Sequence, residues 1–144
     1  VELDQNGMVV LERDECLRRL ARGRVGRVAV TFGALPAVFP VNFTMFEGDV
    51  LFRTTSGSKL SAAVRNDIIA FEIDHVDHMG HLGWSVLVIG PSHEVVEPAE
   101  FEAAARAPLA RWVPGGGPES LVRLRADLVT GRELTLTARR EAFT

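Results

Sequence analysis

The sequence predicts a mainly β fold with short helices, a small antiparallel barrel formed by residues 1–144 as one domain. Three observations predict it. Runs rich in Val and Phe recur at strand length, broken by the glycine and acidic residues that hairpin turns use. Only two or three segments have helical spacing, and each is short. The regular strand–helix alternation of a doubly wound nucleotide fold is missing. A length of 144 residues suits one domain, and a chain of that size buries roughly two-thirds of its unfolded surface, enough for a core without staples.

The elements follow in order. Residues 11–23, "LERDECLRRLARG", place Cys16, Leu17, Leu20 and Ala21 at helical spacing. Gly23 offers a stop, because glycine takes the left-handed conformation at a helix end without a clash. Residues 24–32, "RVGRVAVTF", and 35–55, "LPAVFPVNFTMFEGDVLFRTT", give three antiparallel strands in a row, turning at "FGALP" and "EGD". A short helix is expected over Lys59–Arg65, then a strand at 67–76, "DIIAFEIDHV", and a loop at 78–83, "HMGHLG". Residues 84–97, "WSVLVIGPSHEVVE", form a long strand interrupted at Gly90-Pro91, since proline cannot donate to a ladder. Pro98 opens a helix, "PAEFEAAARA", at a position where its missing N–H does no harm. Residues 108–120 read as a loop, and 121–136, "LVRLRADLVTGRELTL", as closing strand material.

Composition removes several functions. Sixteen basic residues against nineteen acidic ones leave a formal charge of −3, which lacks the basic footprint of non-specific nucleic-acid binding. Cys16 is the only cysteine, so there is neither a disulfide nor a cysteine-based zinc site, and it reads as a small buried apolar residue. With no apolar run near the ~18 residues of a membrane span and no signal-peptide pattern, a cytoplasmic protein is expected.

The stretch with most chemistry is "FRTTSGSKL". A phosphate needs several converging N–H and O–H donors and a positive charge. Arg53 can pair with it through two nitrogens. Thr54, Thr55, Ser56 and Ser58 offer hydroxyls, Gly57 lets the backbone approach, and Lys59 adds a point charge. The Walker A spacing is absent, and a polar turn with a capped helix start explains the same residues. In "PVNF", Asn42 stands on the opposite strand face from Val41 and Phe43, able to bond either a heterocycle's edge or neighbouring backbone. His75, His78 and His81 recur every third residue, which gathers a metal or haem only if their loop folds back on itself. His93 stands alone on a strand, Ser85 lacks a nucleophile-elbow pattern, and no catalytic triad is legible. Trp84 and Trp112 are either core residues or walls for a flat aromatic ligand.

Taken in order, "LARGRVGRVAV", "PAVFPVNF", "FRTTSGSKL", "AFEID", "GWSVLVIG" and "VTGREL" resemble the pyridoxamine 5'-phosphate oxidase-like family of flavin-binding split barrels. The chain is most similar to its small actinobacterial-type members, which are similar to nitroimidazole-resistance proteins. The resemblance implies a six-stranded antiparallel split β-barrel that forms a homodimer, with FMN in two clefts at the interface. It implies that Pro40, Val41, Asn42 and Phe43 run along the isoalloxazine ring. Arg53, Thr54, Ser56, Gly57, Ser58 and Lys59 would hold the ring's polar edge and the ribityl phosphate, with Ser58 and Lys59 nearest the phosphate. Trp84 and Ser85 would border the cofactor, and Trp112 would reach it from the partner subunit. True pyridoxamine-phosphate oxidases are longer and carry a second basic cluster, for which the sequence shows no counterpart. Some relatives hold a deazaflavin, haem or another tetrapyrrole instead. The function expected is an FMN-dependent oxidoreductase acting on a small flat acceptor, and the alternative is a non-catalytic carrier of flavin, deazaflavin or haem. Such an enzyme needs no general base of its own, because the flavin carries the chemistry.

Overall fold

In a computed structural model the described residues fold into one antiparallel sheet of eight strands with three short helices. The structure describes residues 1–65, 67–77, 79, 82–109 and 118–135. The elements are β1 (Val9–Leu11), α1 (Arg13–Arg22), β2 (Val25–Phe32), β3 (Leu35–Phe46), β4 (Asp49–Thr55), α2 (Lys59–Ala63), β5 (Ile68–Asp77), β6 (Leu82–Glu94), α3 (Pro98–Ala105), β7 (Glu119–Leu124) and β8 (Leu128–Leu134).

Strand alternation sets the inside of the fold. In β2, Gly26, Val28 and Val30 are buried while Val25 and Arg27 face out, the period-2 pattern of a strand with one apolar face. Tight turns then fold β2 onto β3 and β3 onto β4. Glu47 and Gly48 both take positive φ, at 50° and 81°, as the hairpin turn whose twist matches the flanking strands requires. Six strands close a ring in the order β2, β3, β4, β7, β6, β5 and back to β2, while β8 and β1 extend from β6. The ring is the six-stranded barrel that the family resemblance implies.

The closure depends on one long strand that changes partners. Along one edge of β6, Gly83–Ile89 pair with β8, and beyond Gly90-Pro91 residues Ser92–Glu94 pair with β7. The corner joining β7 to β8 crosses over Gly90, where an added Cβ would lie 1.9 Å from the Arg125 carbonyl oxygen. The expected interruption is therefore a partner switch, and the closing stretch, read as continuous strand material, is two strands joined by that corner.

Inside the ring, Phe52 and Phe71 are fully buried, and the Phe43 and Phe71 rings meet edge-on at 4.7 Å. Helix α1 packs on this core through Cys16 and Leu20, both fully buried. Burial raises the Cys16 thiol pKa, so it behaves as the inert apolar residue expected. Helix α3 covers the outer side of β4 and β7, where Ala104 joins Leu51, Val95 and Leu121.

Some boundaries differ from the sequence expectation. Helix α2 ends at Ala63 rather than Arg65, β6 begins at Leu82 inside the expected loop, and β1 had no sequence signal. Gly23 stops α1 for another reason than the one expected. Its backbone is extended, φ −78° and ψ 160°, and what demands glycine is space: a Cβ there would meet the Phe43 ring at 2.6 Å. Among the described residues, no helix is long and apolar enough to cross a membrane.

Candidate functional site

The β3–β4 ladder holds four residue pairs, from Phe46↔Asp49 to Phe43↔Phe52, and then stops. Past it, the earlier part of β3 pairs only with β2, and Arg53–Thr55 pair only with β7. A seam therefore opens in the barrel wall. One lip is Pro40, Val41 and Asn42, and the other is Arg53, Thr54 and Thr55. Backbone amides and carbonyls along both lips lack a sheet partner among the described residues, an arrangement that closed barrels avoid. The two stretches singled out in the sequence thus border one opening.

Side chains divide between the two faces of the wall. Val41 and Phe43 lie in the core, so Pro40 and Asn42 face outward. Val50, Phe52 and Thr54 form the buried inner row of β4, so Arg53 lies on the outer face with Leu51. The Arg53 Nη1 stands 3.6 Å from the Glu119 carboxylate, while its buried Nε has no hydrogen-bond partner among the described residues. The Thr54 Oγ1 is also buried and has no partner among the described residues. Leaving such a group unsatisfied costs about 1–3 kcal/mol, so two groups on adjacent residues without a partner among the described residues make this lip a candidate ligand site.

The turn after β4 is more committed than its composition suggests. Ser56 Oγ lies 3.0 Å from Ser120 Oγ across to β7. Gly57 takes φ 80°, and the Ser58 N–H closes the turn onto the Thr55 carbonyl at 3.1 Å. Ser58 Oγ accepts from the Ser61 N–H at 3.0 Å, capping α2. The polar-turn account thus explains Ser56, Gly57 and much of Ser58. It does not explain Lys59, an exposed cation at the first position of α2, with no ion partner among the described residues and no acidic residue in that turn. A cation there opposes the helix dipole.

Trp84 and Ser85 are not at the seam of their own chain. They lie on β6, separated from β3 by β5 and β2. Trp84 packs against the core with the Arg19 guanidinium 5.1 Å from its ring centre, and Ser85 falls on the opposite face. His75 sits in β5, its ring centre 6.5 Å from that of Trp84. Trp112, His78 and His81 lie outside the described residues. His93 bonds Glu100 at 2.8 Å, tying α3 to the barrel. Sequence reasoning missed a cleft of about 730 Å³ between the end of α1 and β3, lined by Arg22, Arg24, Asn42 and Phe43. Its signal was present in "LARGRV", where the glycine drew attention and the arginines did not.

The sequence pattern of the pyridoxamine 5'-phosphate oxidase family matches residues 12–133. The chain belongs to that family. A Mycobacterium tuberculosis relative, Rv0080, is 36% identical over 137 residues, covering 92% of this chain and 89% of that protein. Among solved structures, the FAD binding protein of Mycobacterium smegmatis is 34% identical with a TM-score of 0.77, covering 88% of this chain and 100% of its own. A Corynebacterium glutamicum protein proposed to be a pyridoxamine 5'-phosphate oxidase is 30% identical with a TM-score of 0.75, covering 94% and 98%. The family match spans both lips of the seam and the turn after β4, so the split barrel and its opening belong to the matched region.

Proposed function

We propose that the chain is a flavin-dependent oxidoreductase that holds FMN in the β3–β4 seam and passes reducing equivalents to a small flat acceptor. The observation that carries this reading is the opened ladder with the orphaned Arg53 Nε and Thr54 Oγ1 on one lip. Both can donate, and the polar edge of a flavin ring is rich in carbonyl and ring-nitrogen acceptors. The donor set therefore fits the group. The Mycobacterium smegmatis relative, similar along the whole of its own chain, is named for binding FAD, which supports a flavin here as well.

A bound flavin would supply the hydride or electron transfer itself. The chain's residues would do the rest. Arg53 and Thr54 would fix the ring's polar edge, Lys59 would neutralise the phosphate, and Val41 and Phe43 would present an apolar wall that excludes water. Asn42 would orient the heterocycle from the opposite lip. No proton-transferring side chain is required at the seam.

A second copy of the chain is the partner assigned to the barrel's outer face. The register places Val38, Ala29, Ala70, Ile89 and Leu128 in one row across five strands. Val38 and Leu128 are 62% and 51% exposed, and an apolar row this wide beside the seam suits an interface rather than water.

The test is titration of cofactor-free protein with riboflavin and FMN. Wild type is expected to prefer FMN, and Lys59→Ala to lose at least ten-fold more affinity for FMN than for riboflavin. Equal losses would remove Lys59 from the phosphate, and absence of flavin binding would remove the reading itself. Mass spectrometry of the pigment released from purified protein separates FMN from FAD, deazaflavin and haem. Stopped-flow reoxidation by added acceptors separates an enzyme from a carrier.

A further inference from the structure

We propose that two copies of the chain pair through the outer face of the barrel and take up protons as they do so, one at each Glu72–Asp74 carboxylate pair, so that pairing is tighter in mild acid than in mild base. The inference rests on the second-copy reading above and adds how that pairing is regulated.

The make-up of one sheet face carries the argument. Side chains alternate along a strand, so the outward positions of β2, β3, β5, β8 and residues 82–91 of β6 form one surface. Beside the row through Val38 and Leu128, the paired Ile68 and Pro91 extend the apolar area on one side. On the other side the register sets Pro40, Arg27, Glu72, Leu87 and Thr130 next to one another. Among the described residues of these strands, only four outward side chains carry charge: Arg27, Glu72, Asp74 and Arg132. Arg132 donates to Asp4 at 3.1 Å and is answered there. The other three form one cluster, in which Arg27 Nη1 donates to Glu72 Oε1 at 3.1 Å and to Asp74 Oδ2 at 3.0 Å. One guanidinium thus serves two carboxylates, and the cluster keeps a net negative charge between Pro40 and Leu87.

Water solvates this charge while the face is open, since Arg27 is 55% exposed, Glu72 35% and Asp74 30%. A second copy laid on the apolar rows removes that water. A twofold pairing sets the face against itself, so the partner brings the same excess of carboxylate and no spare cation on this face. A carboxylate buried without compensation answers by binding a proton. One proton leaves Arg27 matched by a single carboxylate, with the protonated acid donating to the other. The single chain is already poised for this, because burial first and then the hydrogen bond and charge of Asp74 raise the Glu72 carboxyl to about 7 against Arg27. Neighbouring strands do not oppose it: β3 offers Pro40, β6 offers Ser85 and Leu87, and β8 offers Thr130 and the committed Arg132. A group whose pKa rises on association contributes fully below its value in the free chain. That contribution is lost as pH climbs through its value in the pair.

Sedimentation equilibrium of the purified chain at about pH 6 and about pH 8.5 reads the linkage, in about 0.3 M salt to screen long-range repulsion. The wild-type dissociation constant is expected to be at least ten-fold larger at the higher pH, the effect of a shift of about one pKa unit. Glu72→Gln and, independently, Asp74→Asn should hold one dissociation constant at both, because neither variant has a second carboxylate to protonate. Circular dichroism checks that each variant keeps the wild-type fold. A wild-type constant that is equal at the two pH values, or a dependence that survives in either variant, overturns the proton linkage while the second copy stands. A wild type that is monomeric at both removes the second copy and the linkage together.

Discussion

Thr54→Val tests whether the seam is built for a ligand. Thr54 is 4% exposed and its Oγ1 has no partner among the described residues. Valine keeps the shape and replaces the hydroxyl by a methyl. Without a ligand, the variant removes an unmet buried group that costs about 1–3 kcal/mol and buries about 0.8 kcal/mol worth of new methyl surface. Packing in a slightly different rotamer offsets part of that, so a gain of about 1–2 kcal/mol is expected for the flavin-free protein. For a chain of this size that is a rise of roughly 2–8 °C in melting temperature. Flavin affinity should move the other way, by about ten-fold, the equivalent of one lost hydrogen bond at about 1.4 kcal/mol. Differential scanning calorimetry of flavin-free protein, with fluorescence titration of FMN, reads both. A variant that is less stable without flavin, or binds FMN as well as wild type, would show that the hydroxyl is not waiting for a ligand.

Other expectations test the frame around the seam. Gly90→Ala should cost about 3 kcal/mol, the upper end for overpacking, because its Cβ would meet the Arg125 backbone at 1.9 Å. Gly33→Ala, in an open turn at φ 57°, should cost only about 1 kcal/mol, and urea melts giving equal losses would count against the β6 crossing. Glu72 makes stability depend on pH: burial raises its carboxyl first and Asp74 adds to this against Arg27, taking it from 4.5 to about 7. Its raised pKa gives a stability increment complete below 4.5 and lost as pH rises through about 7; thermal melts from pH 5 to 8 should therefore fall in wild type and flatten in Glu72→Gln. The proposed pairing of two copies predicts that Val38→Glu raises the dissociation constant by at least ten-fold in sedimentation equilibrium; an unchanged value would rule out this face, and a wild-type chain that sediments as a monomer would rule out the second copy.

Local patterns made the barrel's parts readable. Alternation in "RVGRVAVTF" and the "EGD" turn act over a few residues, and each places its strand without reference to the rest of the chain. Where the strands meet is a different kind of information. Nothing between Pro40 and Phe43 says that pairing with β4 ends at Phe43. That follows from how far β3 stays with β2, which depends on the ring closing through β6 and β7. Residues 121–136 looked continuous because both halves alternate, and the corner at Arg125 exists only because it crosses Gly90, about 35 residues away in the chain.

The candidate site follows the same division. "FRTTSGSKL" announced its donors, but composition could not separate those that the turn consumes from those left over. Ser56 proved to be bonded across to Ser120 on β7 and Ser58 to cap α2, and Arg53 and Thr54, deeper in the strand, hold the donors without a partner among the described residues. Trp84 was grouped with them on resemblance alone, yet three strand steps separate β6 from β3. If Trp84 serves the cofactor, it serves the one in its partner's seam, and the apolar row through Val38 and Leu128 is then part of the active unit. Mixed dimers decide this: a subunit carrying both Trp84→Ala and Lys59→Ala, paired with a wild-type subunit, leaves one intact seam, in the wild-type subunit, facing a missing indole. Normal flavin fluorescence quenching in that seam would place Trp84 outside the site, and its loss would make the dimer the smallest functional form.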